Sequence, residues 1–90
     1  MPEASIPRDE IRSDVREYLL TEFLPGEDPA ALTDSTPLIS GGILDSIASV
    51  KLVSHLEERY GILFEANEVS VDYLDTIDLV VDTVHRKLGG

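Results

Sequence analysis

The sequence places a serine directly after an aspartate, Asp45-Ser46, where a helix is predicted to begin. Aspartate is a preferred N-cap residue because its carboxylate accepts hydrogen bonds from the free N–H groups of the first helical turn. Those N–H groups and the partial positive charge at the amino end of a helix also attract phosphate. The hydroxyl of Ser46 could therefore be phosphorylated or esterified without disturbing a core. Asp45 and Ser46 can equally be capping residues and nothing more, and the dipeptide alone does not decide between these interpretations.

Other residues that could do chemistry lack the spacing that the chemistry needs. His55 lies nine residues after Ser46, which on a helix puts the two about 180° and 13 Å apart. No hydrogen bond of a catalytic triad spans that distance. His55 and His85 do not have the spacing of a helical zinc pair. The aspartates between residues 72 and 78 lack the spacing of a calcium loop, and we interpret them as a solvated acidic face. The sequence thus predicts no catalytic residue and no dedicated metal site, and an esterase built on Ser46 is a remote alternative.

Composition narrows the classes of protein further. The chain has 90 residues, 18 acidic and 7 basic side chains, and a formal net charge of −11, which argues against binding to nucleic acid or to an anionic membrane. A hydrophobic fraction of 42% is typical of a folded domain and excludes an acidic disordered tail. There is no cysteine, so the side chains themselves offer no thiol catalysis and no thiolate metal site.

The same numbers lead to several expectations about the whole protein. At this length we expect a single domain over residues 1–90, with an ordered core at about 8–88. No apolar run approaches the roughly 20 residues of a membrane helix, and the first ten residues do not resemble a secretory signal. We therefore expect a complete, free-standing, cytoplasmic protein that acts as a monomer.

Apolar periodicity predicts three main helices and one short one, an all-α four-helix bundle. The first helix starts near Pro7 and ends before Pro25. The second runs from Asp45 or Ser46 to Tyr60, a short turn lies near Val71–Leu74, and the last helix begins near Asp75 or Thr76. A long loop at residues 25–44 joins the first two helices. We expect it to be ordered and functional, with its apolar residues in the core; these are Leu32, Leu38, Ile39, Ile43 and Leu44.

The second helix has two predicted faces at about 100° per residue. One is the core stripe, made of Ser49, Val50, Leu52, Val53, Leu56 and Tyr60. The other faces water and contains Ile47, Lys51, Ser54 and Glu58. Because this second face begins beside Ser46, we expect these four residues to be partner contacts.

Nearly the whole chain, from about Ile11 to Leu88, resembles the acyl carrier protein family. The segments that carry the resemblance are TPLISGGILDSI, LVSHLEERYGI and YLDTIDLVVDTV. In that family a serine in this motif carries a phosphopantetheine arm through a phosphodiester bond, and the matching residue here is Ser46, with Asp45 before it. The resemblance implies that the arm comes from coenzyme A through a separate magnesium-dependent phosphopantetheinyl transferase. The thiol of the arm then carries an acyl or aminoacyl group, so the protein itself needs no cysteine.

Two departures from the family pattern bear on the pathway. Carriers of fatty acid synthesis are often acidic at the positions of Ala48 and Lys51, and the GGILDSI form differs from that of common peptide-synthetase carriers. The chain looks more like an acyl carrier of a specialised polyketide, lipid or natural-product pathway. An aminoacyl carrier of the D-alanyl or peptidyl type is the alternative, and an unmodified acidic helical adaptor is a more remote one. The partners implied are the transferase, a loading ligase for the acyl or aminoacyl group, and a downstream synthase or transferase.

Overall fold

The computed structural model describes residues 6–24, 26 and 28–89. Of the predicted domain at residues 1–90, residues 1–5, 25, 27 and 90 therefore lie outside the described part. The three main helices are α1 (Arg8–Glu22), α2 (Ser46–Tyr60) and α4 (Ile77–Lys87), and a short helix, α3 (Val71–Leu74), precedes α4. Two turns of 3₁₀ helix, Pro29–Ala31 and Ala66–Glu68, lie in the connections. The described residues contain no strand, and the prediction of an all-α fold with three main helices and one short helix is confirmed.

The apolar stripes of the helices meet in one core. Ile11, Val15 and Leu19 of α1 are fully buried, as the periodicity predicts. The long loop also enters this core, and Leu32, Leu38 and Leu44 are buried, whereas Ile39 and Ile43 pack against the core only partly. The loop is therefore an integral part of the fold, and its conformation is coupled to the packing of the helices.

Helix α2 begins and ends where the sequence predicts, with Asp45 as its N-cap and Gly61, at φ +67°, as its C-cap. Ala48, Ser49, Leu52, Val53 and Leu56 are buried, but the prediction that Val50 belongs to the core stripe is wrong, because Val50 is 57% exposed. On the helical wheel Val50 lies about 130° from the centre of the five buried residues. It therefore lies outside the stripe, where it faces a groove.

Three arginines spaced four residues apart fix α1 on the rest of the molecule. Arg8 is paired with Asp82. An Nη atom of Arg12 lies 2.9 Å from Asp78, and an Nη atom of Arg16 lies 2.8 Å from Asp34. The spacing places all three on one side of α1, where they face carboxylates of α4 and of the long loop.

Helix α4 starts at the predicted place because Thr76 caps it, accepting a hydrogen bond from Leu79 N–H at 3.1 Å. Its buried residues are Ile77, Val80, Val81, Thr83 and Val84. The short α3 also lies where predicted, and its end at Asp75 directly precedes the cap of α4. Only Asp75 and Thr76 separate α3 from α4, and the long loop passes beside this corner of the fold.

Candidate functional site

The start of α2 separates the roles of Asp45 and Ser46. The Asp45 carboxylate accepts a hydrogen bond from Ala48 N–H at 2.7 Å, and Ser49 Oγ donates to the Asp45 carbonyl at 2.8 Å. Ser46 is the first residue of the helix and its side chain is exposed. Among the described residues, no hydrogen bond engages the Ser46 hydroxyl. Asp45 therefore does the capping, and the hydroxyl of Ser46 is left for chemistry at the amino end of a 15-residue helix.

The loop before Ser46 is closed by short-range hydrogen bonds. Leu44 N–H donates to the Leu38 carbonyl at 2.8 Å, and Gly42 N–H donates to the Ile39 carbonyl at 3.1 Å. A Cβ atom on Gly41 would lie 2.3 Å from the Pro37 carbonyl oxygen, which is inside van der Waals contact. The loop conformation thus requires glycine at position 41, because there is no room for a side chain beside Pro37.

Asp75, at the α3–α4 junction, holds the same loop from the other side. Its carboxylate accepts hydrogen bonds from Ile39 N–H at 2.9 Å, from Ser40 N–H at 2.8 Å and from Ser40 Oγ at 2.8 Å. The hydrogen bond from the Ser40 backbone is the main reason why the pKa of Asp75 is lowered below its ordinary value. The interpretation of residues 72–78 as a solvated acidic face is therefore wrong for Asp75. Asp78 pairs with Arg12, but its side chain is 52% exposed, which agrees with the interpretation.

A groove of about 560 Å³ opens beside Ser46, between the start of α2, the loop and α3. Its walls are mostly aliphatic and carry a few hydroxyls; the lining residues are Ile39, Leu44, Asp45, Ser46, Ser49, Val50, Val69, Ser70 and Val71. Val50 is exposed because it forms part of this wall. A slender, partly apolar group joined to Ser46 could lie in this groove.

The exposed face of α2 agrees with the sequence prediction. Ile47 is 70% exposed, and Lys51, Ser54 and Glu58 are also exposed on the same side. No acidic residue occurs from Ser46 to Leu56, although the chain carries a net charge of −11. The face continues past the end of α2 to Leu63, which is 79% exposed and which the sequence analysis did not single out. That these residues contact partners stays a prediction.

His55 has a role that the sequence analysis missed. Its Nε2 lies 3.2 Å from Asp14 Oδ2, and its ring stacks on Tyr18 with the two ring centroids 4.0 Å apart. Tyr60 OH donates to the same Asp14 oxygen at 3.0 Å, and Arg59 Nε lies 3.1 Å from the other oxygen. Burial is the main cause that raises the pKa of Tyr60 to about 12. His55 thus belongs to a polar cluster that ties α1 to the second half of α2.

In the part of the chain that the structure describes, no three histidine, aspartate or glutamate side chains are grouped so that they could hold a metal ion. No helix there is long and apolar enough to cross a membrane.

Comparison with protein families shows to which family the chain belongs. The family described as the phosphopantetheine attachment site matches residues 19–84, more than half of the chain. The chain belongs to this family. Its domains are where phosphopantetheine is attached covalently through a serine, so the chain is a phosphopantetheine carrier and the predicted family and cofactor are confirmed. No curated protein sequence matches the chain significantly.

The matched region includes everything that surrounds Ser46. It begins in α1 at Leu19 and ends in α4 at Val84, so it contains the long loop, α2, α3 and the groove. The exposed hydroxyl at the amino end of α2 and the adjoining aliphatic groove suit a phosphate ester and the slender arm that it bears.

Proposed function

We propose that Ser46 is the attachment serine and that the chain is a non-catalytic acyl carrier of a specialised biosynthetic pathway. The observation that carries the assignment is that the Ser46 hydroxyl is exposed, unbonded within the described residues, and placed at the amino end of a long helix.

Of the other serines in the matched region, three have hydroxyls that are engaged elsewhere, whereas Ser35 is exposed in a turn of the long loop and does not lie at the start of a long helix. Ser40 Oγ donates to Asp75, Ser49 Oγ donates to the Asp45 carbonyl, and Ser70 Oγ donates to the Asn67 carbonyl. Ser54 is exposed but lies in the middle of α2, away from the free N–H groups of its first turn.

The reaction at Ser46 follows from the chemistry of the arm. The Ser46 hydroxyl gives up its proton to a base of the transferase and forms a new ester bond to phosphorus, while the nucleotide half of coenzyme A leaves. The phosphodiester brings a negative charge to the amino end of α2, where the helix dipole stabilises it. The thiol at the end of the arm then holds the cargo as a thioester.

Intact mass spectrometry tests the attachment site. The wild-type protein is incubated with coenzyme A, magnesium and a phosphopantetheinyl transferase of broad specificity. We expect one added arm on the wild type and on Ser54→Ala, the matched control on the same helix, and none on Ser46→Ala. Modified Ser46→Ala would overturn the assignment. An unmodified wild type would favour the adaptor alternative, and ester hydrolysis by the purified chain alone would favour the esterase alternative.

The walls of the groove favour an acyl cargo over an aminoacyl one. Ile39, Leu44, Val50, Val69 and Val71 can bury an aliphatic chain, and each buried CH₂ group contributes roughly 0.8 kcal/mol. An ammonium group would lose hydration there, and the one carboxylate in the lining, that of Asp45, already accepts the N–H group of Ala48. We therefore expect a short aliphatic thioester to raise the melting temperature of the loaded protein, and an aminoacyl thioester to leave it unchanged. The opposite order would support the aminoacyl carrier.

The exposed face of α2 is the proposed contact surface for loading and downstream enzymes. Its centre, Ile47 and Lys51, combines an apolar side chain with a positive charge, which suits a partner with an apolar patch and an acidic or neutral rim. Reversing one charge changes the interaction with a partner charge about 10 Å away in water by roughly 0.8 kcal/mol, or about fourfold.

Loading kinetics at two salt concentrations test this surface. We expect Lys51→Glu to slow the cognate loading enzyme about fourfold at low salt, and to speed enzymes that recognise acidic carriers. Arg86→Glu is the matched control, because it makes the same charge change on the exposed part of α4. Unchanged rates with every partner for Lys51→Glu would place the contact surface elsewhere.

A further inference from the structure

One residue of the α3–α4 junction holds the backbone of the loop that leads to Ser46. The Asp75 carboxylate accepts the N–H groups of Ile39 and Ser40 and the hydroxyl of Ser40, at 2.8–2.9 Å. The main-chain carbonyl of Asp75 also accepts Leu38 N–H at 2.6 Å. Three consecutive loop residues are thus bonded to a single residue far along the chain.

These bonds extend to the attachment site through the backbone. The carbonyl of Leu38 accepts Leu44 N–H at 2.8 Å, and Leu44 is buried and directly precedes Asp45 and Ser46. Ile39, whose N–H group Asp75 holds, forms part of the groove wall beside Ser46. Asp75 therefore fixes both the chain that enters α2 and one wall of the groove, although its hydrogen bonds to the loop end at residues 38–40.

The helices at this corner do not need the Asp75 carboxylate. Helix α4 is capped by the side chain of Thr76, and the end of α3 uses the main-chain N–H of Asp75, which donates to the Val71 carbonyl. All the hydrogen bonds of the Asp75 side chain go to the loop. The carboxylate of Asp75 therefore contributes to the conformation of the loop and not to the end of α3.

We propose that Asp75 is a positioning residue for the loading of Ser46, because its carboxylate keeps the loop of residues 38–44 in the conformation that the transferase binds. This inference rests on the proposed function, since it requires that Ser46 be the attachment serine. When a binding-competent conformation is only fractionally populated, the apparent affinity falls by that fraction. Loss of the carboxylate should therefore raise KM for the carrier and leave kcat nearly unchanged.

The kinetic test compares Asp75→Ala, Asp75→Asn and Ser40→Ala with the control Asp72→Ala. Asp72 is an exposed acid of α3, so its removal makes the same change in net charge. We expect KM of the phosphopantetheinyl transferase for the apo protein to rise about tenfold for Asp75→Ala and less for Asp75→Asn and Ser40→Ala. We expect kcat to change by less than about twofold in all three, and Asp72→Ala to behave as the wild type.

Each outcome of this experiment has a definite meaning. If Asp75→Ala folds and its KM equals that of the wild type, the positioning role is wrong while the proposed function stands. Lower kcat with unchanged KM would indicate a loss of folded protein, and would also overturn the role. If Asp75→Ala does not fold, the same criteria apply to Asp75→Asn and Ser40→Ala. If the wild type is not loaded at all, the proposed function fails and this inference fails with it.

A spectroscopic measurement tests the contact without any enzyme. We expect the backbone amide resonances of Ile39 and Ser40 to shift together with pH in the wild type and in Asp72→Ala. The midpoint should lie below the ordinary pKa of aspartate, because the hydrogen bond from the Ser40 backbone stabilises the ionised carboxylate. The shift should vanish in Asp75→Asn. If the amide resonances of Ile39 and Ser40 do not change with pH in the wild type, the inference is overturned even if loading proceeds normally.

Discussion

Removing the Asp14 carboxylate should weaken the contact between α1 and the second half of α2. Asp14 is 15% exposed and is the common acceptor for His55 Nε2 at 3.2 Å and Tyr60 OH at 3.0 Å. In Asp14→Ala both groups lose this acceptor, and the Tyr60 hydroxyl is left partly buried. Arg59 also lies against Asp14, but its side chain is half exposed, so water replaces that contact at little cost.

The size of the effect follows from these two hydrogen bonds. A hydrogen bond to a charged group contributes about 1.5–3 kcal/mol to stability, and bonds that share one acceptor are not additive. We therefore expect Asp14→Ala to lower the free energy of unfolding by about 2–4 kcal/mol. For a domain of this size such a loss lowers the melting temperature by about 10–25 °C. Asp14→Asn keeps an acceptor but removes the charge, and should lie about halfway.

Thermal and urea unfolding of apo protein measure this loss. Glu17→Ala is the matched control, because Glu17 is an exposed acid on the same helix and its removal makes the same change in net charge. The control should stay within about 0.5 kcal/mol of the wild type. An Asp14→Ala protein as stable as Glu17→Ala would refute the reasoning. It would mean that hydrogen bonds to water stabilise His55 and Tyr60 as much as their hydrogen bonds to Asp14 do.

Two further predictions concern the loop and the alkaline stability of the fold. Gly41→Ala should lower the free energy of unfolding by about 2–3 kcal/mol, because its Cβ would meet the Pro37 carbonyl. Gly42→Ala, at φ +84° with open space around it, should cost only about 1–2 kcal/mol; denaturation curves that reverse this order would contradict the loop geometry. The raised pKa of Tyr60, about 12, means that the neutral phenol is favoured in the folded state. Its contribution to stability is complete below pH about 10, the unfolded value, and is lost as the pH rises towards 12. Tyr60→Phe should therefore show a smaller loss of stability than the wild type between these pH values, and parallel curves would contradict the assignment.

The parts of this fold that local sequence rules determine were predicted well. The bounds of α2 follow from an aspartate cap, an apolar period and a glycine stop, all within one segment. The exposure of Ile47 and Lys51 follows from the same period. Ser46 could be proposed as the attachment serine because its neighbours in sequence form a family motif, and the family match covers this region.

Contacts between distant segments could not be predicted in the same way. The bond from Asp75 to Ser40 joins residues 35 positions apart, and the bond from Tyr60 to Asp14 joins residues 46 apart. In a single sequence Asp75 looks like any acid of an acidic chain, and only the corner between α3 and α4 brings it to the loop. The exposure of Val50 could have been predicted from the helical wheel, which places it outside the buried stripe of α2, whereas the groove that it faces depends on distant segments.

The hydrogen bonds of Asp75 also bear on the stage of folding at which the proposed attachment site forms. Residues 38–40 and Asp75 must close a long segment of chain before the loop gains these hydrogen bonds, and such non-local closures form late compared with helices. A nascent chain that has emerged only as far as α2 holds Ser46 but not the residue that holds its loop. Recognition of the clamped loop would therefore restrict loading to chains that have folded through the α3–α4 corner, so that unfinished or misfolded copies do not consume coenzyme A.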